Sequence, residues 1–176
     1  MHHWQPAAAC LLLVVLLWGG RWLYFTPTVE ISVDINPSIE LGVNRFDRVI
    51  SVSGYNADGQ ALVQSLNVKY QDCADAIDQI LENETIRALL DDDGLLSIAV
   101  VGADDAQTSR VLSQIETCTA GEENVCCYFA HAGEVEEAHD MGLSYGKYRM
   151  FQEIQALDPE ITAEEVQGMT LRELQD

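Results

Sequence analysis

From Val29 to Val43 the odd positions are apolar or proline: Val29, Ile31, Val33, Ile35, Pro37, Ile39, Leu41 and Val43. The even positions are polar or glycine: Glu30, Ser32, Asp34, Asn36, Ser38, Glu40 and Gly42. A period of two is the mark of a strand with two unlike faces. The run is longer than the roughly 5–6 residues of an ordinary strand. Pro37 also has no N–H to give to a sheet ladder. The pattern therefore predicts two short strands broken by a tight turn or kink at Asn36-Pro37. A third strand, Arg48 to Tyr55, follows the turn-like Asn44-Arg45-Phe46-Asp47.

Beyond it the period lengthens. Asn56 to Gly59 has turn chemistry, and Gln60 to Leu66 suits a short helix. Asp72 can cap a helix running to about Leu90, with Cys73, Ile77, Ile80, Leu81, Ala88 and nearby Leu89 at helical spacing. Asp91-Asp92-Asp93-Gly94 ends it. Leu95 to Val101 is a short apolar run bounded by glycine, which predicts a buried strand. Asp104 or Asp105 caps the next helix, with Thr108, Val111, Leu112, Ile115 and Cys118 on one face. Asn124 to Ala130 predicts another strand. Gly146 to Leu157 predicts a helix that buries Met150, Phe151, Ile154 and Leu157. Thr162 with Glu165, and Thr170 with Glu173, are two capping boxes that open short final helices. The order predicts an α/β (α+β-like) domain over 28–176: a mixed sheet with helices on one face and a C-terminal helical tail.

Ala7 to Phe25 is apolar except for Arg21. Its length suits a single N-terminal transmembrane helix after a short tail, 1–6. Arg21 can snorkel, and Trp18, Trp22, Tyr24 and Phe25 suit an interfacial belt. A cleaved signal peptide fits less well, because no positive n-region precedes the run and no small-x-small site follows it. Cys10 precedes the apolar run, so it is not placed for lipid attachment.

Composition sharpens this division. The formal net charge is −20 while 48% of residues are hydrophobic, and every acidic residue lies at or beyond Glu30. So acidic a body has no electrostatic footprint for nucleic acid. The five cysteines include no C-x-x-C, and His131 and His139 match no metal spacing, so no metal and no cofactor is expected. The two histidines read as loop or surface residues. Cys126 and Cys127 should point to opposite faces of a strand. Cys118 with either of them is the nearest candidate disulfide, beside the alternative of buried free thiols. Asp91 to Gly94 lacks Ca²⁺-loop spacing. Gly142-x-x-x-Gly146-Lys147 is not a phosphate loop.

The candidate chemistry is the Asn36-Pro37 bond. An Asn carboxamide nitrogen can attack its own backbone carbonyl, closing a succinimide and expelling the next nitrogen. A proline amide resists twisting less than a secondary amide. Asp34, on the same strand face, is placed to assist proton transfer, and Ser38 to donate to a developing oxyanion. The competing account is a plain β-kink in which Asn favours the turn.

The stretch Asp34-Ile35-Asn36-Pro37-Ser38-Ile39-Glu40-Leu41, with Asn44-Arg45-Phe46, Arg48-Val49-Ile50 and Tyr55-Asn56-Ala57-Asp58-Gly59, resembles the extracytoplasmic juxtamembrane domain of RsgI-type transmembrane anti-sigma factors. Gly142 to Tyr148, with Leu157-Asp158-Pro159 and the closing helices, is similar to the end of that domain. The resemblance implies self-cleavage at Asn36-Pro37, leaving two pieces held by sheet pairing. It also implies an N-in, C-out single-pass protein in the cell membrane, with the lipid bilayer and an intramembrane protease as partners. No enzymatic activity in trans is expected. The family carries a cytoplasmic sigma-binding domain ahead of the span, where this sequence has only Met1 to Pro6. A sigma factor is therefore expected as a partner only if such a domain is supplied. The alternative function is a non-cleaving structural or interaction domain on the cell surface.

Overall fold

The alternating run folds as a hairpin. A computed structural model describes residues 4–175, with side chains described from Cys10 onward. β1 (Pro27–Asp34) turns back at Ile35-Asn36-Pro37 into antiparallel β2 (Ser38–Asn44), and β3 (Val49–Gly54) adds the next antiparallel strand. The kink is where the pattern placed it. Asn36 has φ 62, in the left-handed region that Asn tolerates better than most residues. The sheet order is β3-β2-β1-β4-β5, so β1 is central. β4 (Leu96–Gly102) runs antiparallel to β1, and β5 (Val125–Ala130) runs parallel to β4 after the crossover helix α5 (Asp105–Thr119).

The odd-numbered side chains of β1 and β2 form one core with Leu96, Ile98 and Val100 of β4. α3 (Cys73–Leu81), α4 (Glu84–Asp91) and α5 cover that face with Ile77, Ile80, Ile86, Val111 and Ile115. A second core lies on the opposite face, around Ala99, Val101, Ala130, Leu143, Tyr145, Tyr148 and Phe151. Helices therefore pack on both faces, not one. The physical reason is β4: it sends Ile98 and Val100 to one side and Ala99 and Val101 to the other, as in strands covered twice.

Other boundaries differ for local reasons. The turn at Asn56 is itself the cap of α2 (Ala57–Val63), because Asn56 Oδ1 accepts from the Gly59 amide, so this helix starts earlier than expected. The helix after Asp72 is two helices, because Asn83 leaves helical geometry and caps α4 through the Thr85 amide. α6 (Ala132–Asp140) was not foreseen, and it takes in His139, while His131 is its N-cap. α7 (Tyr145–Gln155) ends before Leu157, which is exposed rather than buried. α8 (Ala163–Gln167) and α9 (Leu171–Gln175) begin at the two predicted boxes, where Glu165 and Glu173 accept from the Thr162 and Thr170 amides. The cysteines are free thiols, not paired. Burial, then nearby Asp72 and Asp47, push the Cys73 thiol up to about 12.

α1 (Trp4–Phe25) is continuous, so it includes residues 4–6 of the expected tail; residues 1–3 lie outside the described residues. Among the described residues no helix is long and apolar enough to cross a membrane.

Candidate functional site

The hairpin end is built by opposed strands and closed by three separate elements. Asp34 ends β1 and Ser38 begins β2, directly opposite each other in the register. Ser38 Oγ donates to Asp34 Oδ1 at 2.6 Å, and both side chains are buried. Ser144, at the N-cap of α7, donates to the other oxygen, Asp34 Oδ2. β4 adds Ser97, paired with Asp34 in register and hydrogen-bonded to the Tyr128 hydroxyl of β5. Burial, partly offset by the Ser97 hydrogen bond, raises the Tyr128 phenol, so it stays protonated.

Asn36 is held differently. Its Oδ1 accepts from Asn56 Nδ2 at 3.1 Å. Asn56 Oδ1 in turn accepts from the Ser38 amide at 3.2 Å and the Gly59 amide at 2.7 Å. Asn56 thus fixes both sides of the Asn36-Pro37 bond with one carboxamide. The Ile35 amide donates to Pro37 O at 3.2 Å across the kink. Tyr55 N–H donates to Ser38 O at 2.9 Å, tying the loop after β3 to the same spot.

The four sequence-predicted residues therefore meet, but in two subsets. Asp34 and Ser38 are hydrogen-bonded to each other. Asn36 is joined to Asn56 rather than to Asp34. Pro37 sits between the two. The residues that pattern reasoning missed are Asn56, Ser144 and Lys147. Asn56 stood inside a recognisable turn, yet nothing local linked it to Asn36. Ser144 and Lys147 lie in a sparsely patterned stretch, where only the cluster Gly142 to Lys147 hinted at a role.

A cavity of about 210 Å³ opens over the bond, lined by Asn36, Ser38, Tyr55, Asn56, Gly142, Ser144, Lys147 and Gln167. Lys147 is buried and donates to Gln167 O at 2.7 Å. Burial depresses its ammonium, against the opposing pull of the Asp34 and Glu173 charges. Gly146 lets α7 approach: a Cβ there would lie 2.7 Å from Asp34 Oδ2 and 3.0 Å from Ser97 Oγ. Among the described residues no group of His, Cys, Asp and Glu is placed to hold a metal ion.

Residues 29–153, most of the chain, match the model of the anti-sigma factor RsgI-like central domain. Anti-sigma-I factor RsgI7 of Acetivibrio thermocellus is 24% identical over 95% of this chain and 32% of its own length. RsgI9 of the same organism is 26% identical over 82% of this chain and 22% of its own. RsgI4 is 24% identical over 82% and 30%. The chain thus spans about a third or less of the length of these curated relatives.

Proposed function

Since the chain belongs to the RsgI-like anti-sigma factor family, we propose that it is a membrane-anchored, extracytoplasmic relay that cleaves itself at Asn36-Pro37. The observation that carries this reading is the hairpin end: a left-handed Asn36 held by Asn56, beside a buried Asp34–Ser38 pair. Positive φ at a non-glycine residue costs energy and persists only where surroundings impose it. Here the residue following is proline, whose presence restricts the preceding backbone further.

In this mechanism Asn36 Nδ2 attacks the Asn36 carbonyl carbon. The Asn56 donor on Asn36 Oδ1 withdraws electrons from the carboxamide and eases loss of an Nδ2 proton. Ser38, whose own proton points at Asp34, presents lone pairs and so acts as proton acceptor in a relay to Asp34, not as the oxyanion donor its position suggested. The N–C bond to Pro37 then breaks, and the proline nitrogen takes up the relayed proton. The product is a C-terminal succinimide on one piece and a free proline amine on the other, until water opens the ring.

Two pieces would remain together. β1 belongs to the N-terminal piece, yet both its neighbours, β2 and β4, belong to the other. α1 would anchor that N-terminal piece: every residue from Leu11 to Trp18 is exposed, so apolar side chains face outward all round the helix. Removal of the outer piece would leave the anchored stub to an intramembrane protease. A sigma factor partner would require a cytoplasmic domain joined to this anchor.

Intact mass under denaturing conditions, beside an Asn36→Ala variant, tests the proposal. Two fragments meeting at Asn36-Pro37, absent from the variant, are expected, with a fraction of the N-terminal fragment one water lighter. A single full-length species in both proteins would overturn self-cleavage and favour a non-cleaving surface domain.

A further inference from the structure

We infer that the end of the domain around Phe46 and Tyr70 is a foot that rests on anionic phospholipid headgroups of the bilayer that α1 enters. This rests on the membrane-anchor reading of α1. Only Thr26 separates α1 from β1, so the sheet has almost no tether with which to stand off a surface. The end of α1 also packs onto two loops of the domain. Tyr24 stacks on Phe46 with ring centres 6.2 Å apart, and Phe25 meets Tyr70 edge-on at 6.3 Å. Asn44 Nδ2 donates to Tyr24 O at 2.8 Å.

Those contacts leave the rings largely open. Phe46 remains 54% exposed and Tyr70 51%. Tyr70 has φ 71, an outlying conformation for a bulky side chain, and is held there by its amide donating to Val49 O at 2.7 Å. Exposed aromatics with a polar edge suit the headgroup layer, where one end of the side chain stays wet.

Charge points the same way. Among the described residues, Arg87, Arg110, Arg149 and Arg172 are ion-paired with carboxylates, and Lys147 is buried against a carbonyl. The remaining cations are Arg21, Arg45, Arg48 and Lys69, all exposed and all at this end of the molecule. Of the acids at this end, Asp47 is engaged by Arg110 and Gln107, Asp72 by the Ala74 amide and Asp104 by the Gln107 amide, while Asp105 stays exposed, so the four cations outnumber the open acid. An anionic surface would repel the rest of so acidic a body, leaving this end as the one face able to approach. Each basic group near such a surface is worth roughly fivefold in partition.

The test is hydrogen exchange on the full chain in nanodiscs of phosphatidylcholine, with and without phosphatidylglycerol. The amides of 45–47 and 69–70 are expected to exchange several-fold more slowly with phosphatidylglycerol. The Arg45→Glu, Lys69→Glu double variant should lose that difference while β1 and β4 keep their protection, which reports an intact fold. Flotation with vesicles of the same lipids separates the two claims. A chain that floats but exchanges identically in both lipids overturns the foot and leaves the anchor. A chain that does not float overturns both.

Discussion

Ser144 donates its hydroxyl hydrogen to Asp34 across 110 positions of sequence, joining the first turn of α7 to the end of β1. With Ser38 on the other oxygen, the buried carboxylate has a donor for each of its atoms. The two bonds should separate by mutation. Ser144→Ala removes a donor on the Asp34 oxygen that Ser38 does not use, and should lower stability by about 1–3 kcal/mol while cleavage persists. Asp34→Asn keeps the size but removes the relay's base, and should leave the chain uncleaved. Urea unfolding and a denaturing gel on both variants check this. Equal cleavage in wild type and Asp34→Asn would remove Asp34 from the mechanism.

Gly146 offers a second route to the same spot. Its missing side chain is what lets α7 lie against Asp34 and Ser97. Both neighbours are short and buried, so they have little freedom to yield. Gly146→Ala should therefore cost about 1–3 kcal/mol through overpacking, despite the better helix propensity of alanine. Gly133→Ala, in α6 with open space around its Cβ position, is the control and should be neutral or slightly stabilising. Thermal melts of the two variants make the comparison.

The hairpin and its break at Asn36-Pro37 were legible in sequence because period two and a proline act within a few residues. β4 was legible as a buried strand because its apolar run between glycines is just as local a signal. What its apolar run could not convey was that helices would cover both faces, since that depends on α6 and α7 folding back. α6 itself has few apolar residues, and only Val135 and Ala138 among them are buried, so it carries almost no stripe to read. Asp34, Asn36, Pro37 and Ser38 were visible as neighbours. Asn56 and Ser144 were not, because hydrogen bonds spanning 20 and 110 positions leave no periodic trace.

Asp47 gives a prediction in pH. Burial pushes its carboxyl up, but the Arg110 and Gln107 hydrogen bonds and the Arg110 charge outweigh this and hold it below the usual range. A depressed folded value means stability that is fully present above the unfolded value, about 3.9, and is lost as pH falls through the folded one. Asp47→Asn is a clean probe, because Asn tolerates the positive φ of this position. The variant should be about 1 kcal/mol less stable at neutral pH. The gap should hold down to about pH 5, begin to narrow near pH 4, and close as pH falls through the folded value. Urea titrations at stepped pH read it directly; a gap that stays constant to pH 3 would mean the Asp47 charge contributes nothing.

The last prediction concerns how the proposed pieces part. β1 is paired over seven positions with β2 and six with β4, and it buries Val29, Ile31 and Val33 in the core. Fully buried aliphatic side chains contribute about 1.5–3 kcal/mol each, so the pieces should copurify under native conditions after the bond is cut. Direction of load matters as much as its size. α1 leaves β1 at Pro27, while Arg172 near the C-terminus bonds Asp93 and Asn124, just before β4 and β5 begin. Ser97 of β4 pairs with Asp34, so the C-terminal end lies at the hairpin end of β1, opposite the anchor. Tension between the anchor and the C-terminus therefore runs along β1 and loads its ladder bonds together rather than one by one. Ile31→Ala should cost about 2–5 kcal/mol and release the outer piece from the anchored stub under conditions in which the wild-type pieces stay joined. Native gel filtration of the cleaved protein, with Leu157→Ala on the exposed surface as control, makes the comparison. Release of both variants alike would show that β1 burial does not hold the pieces together.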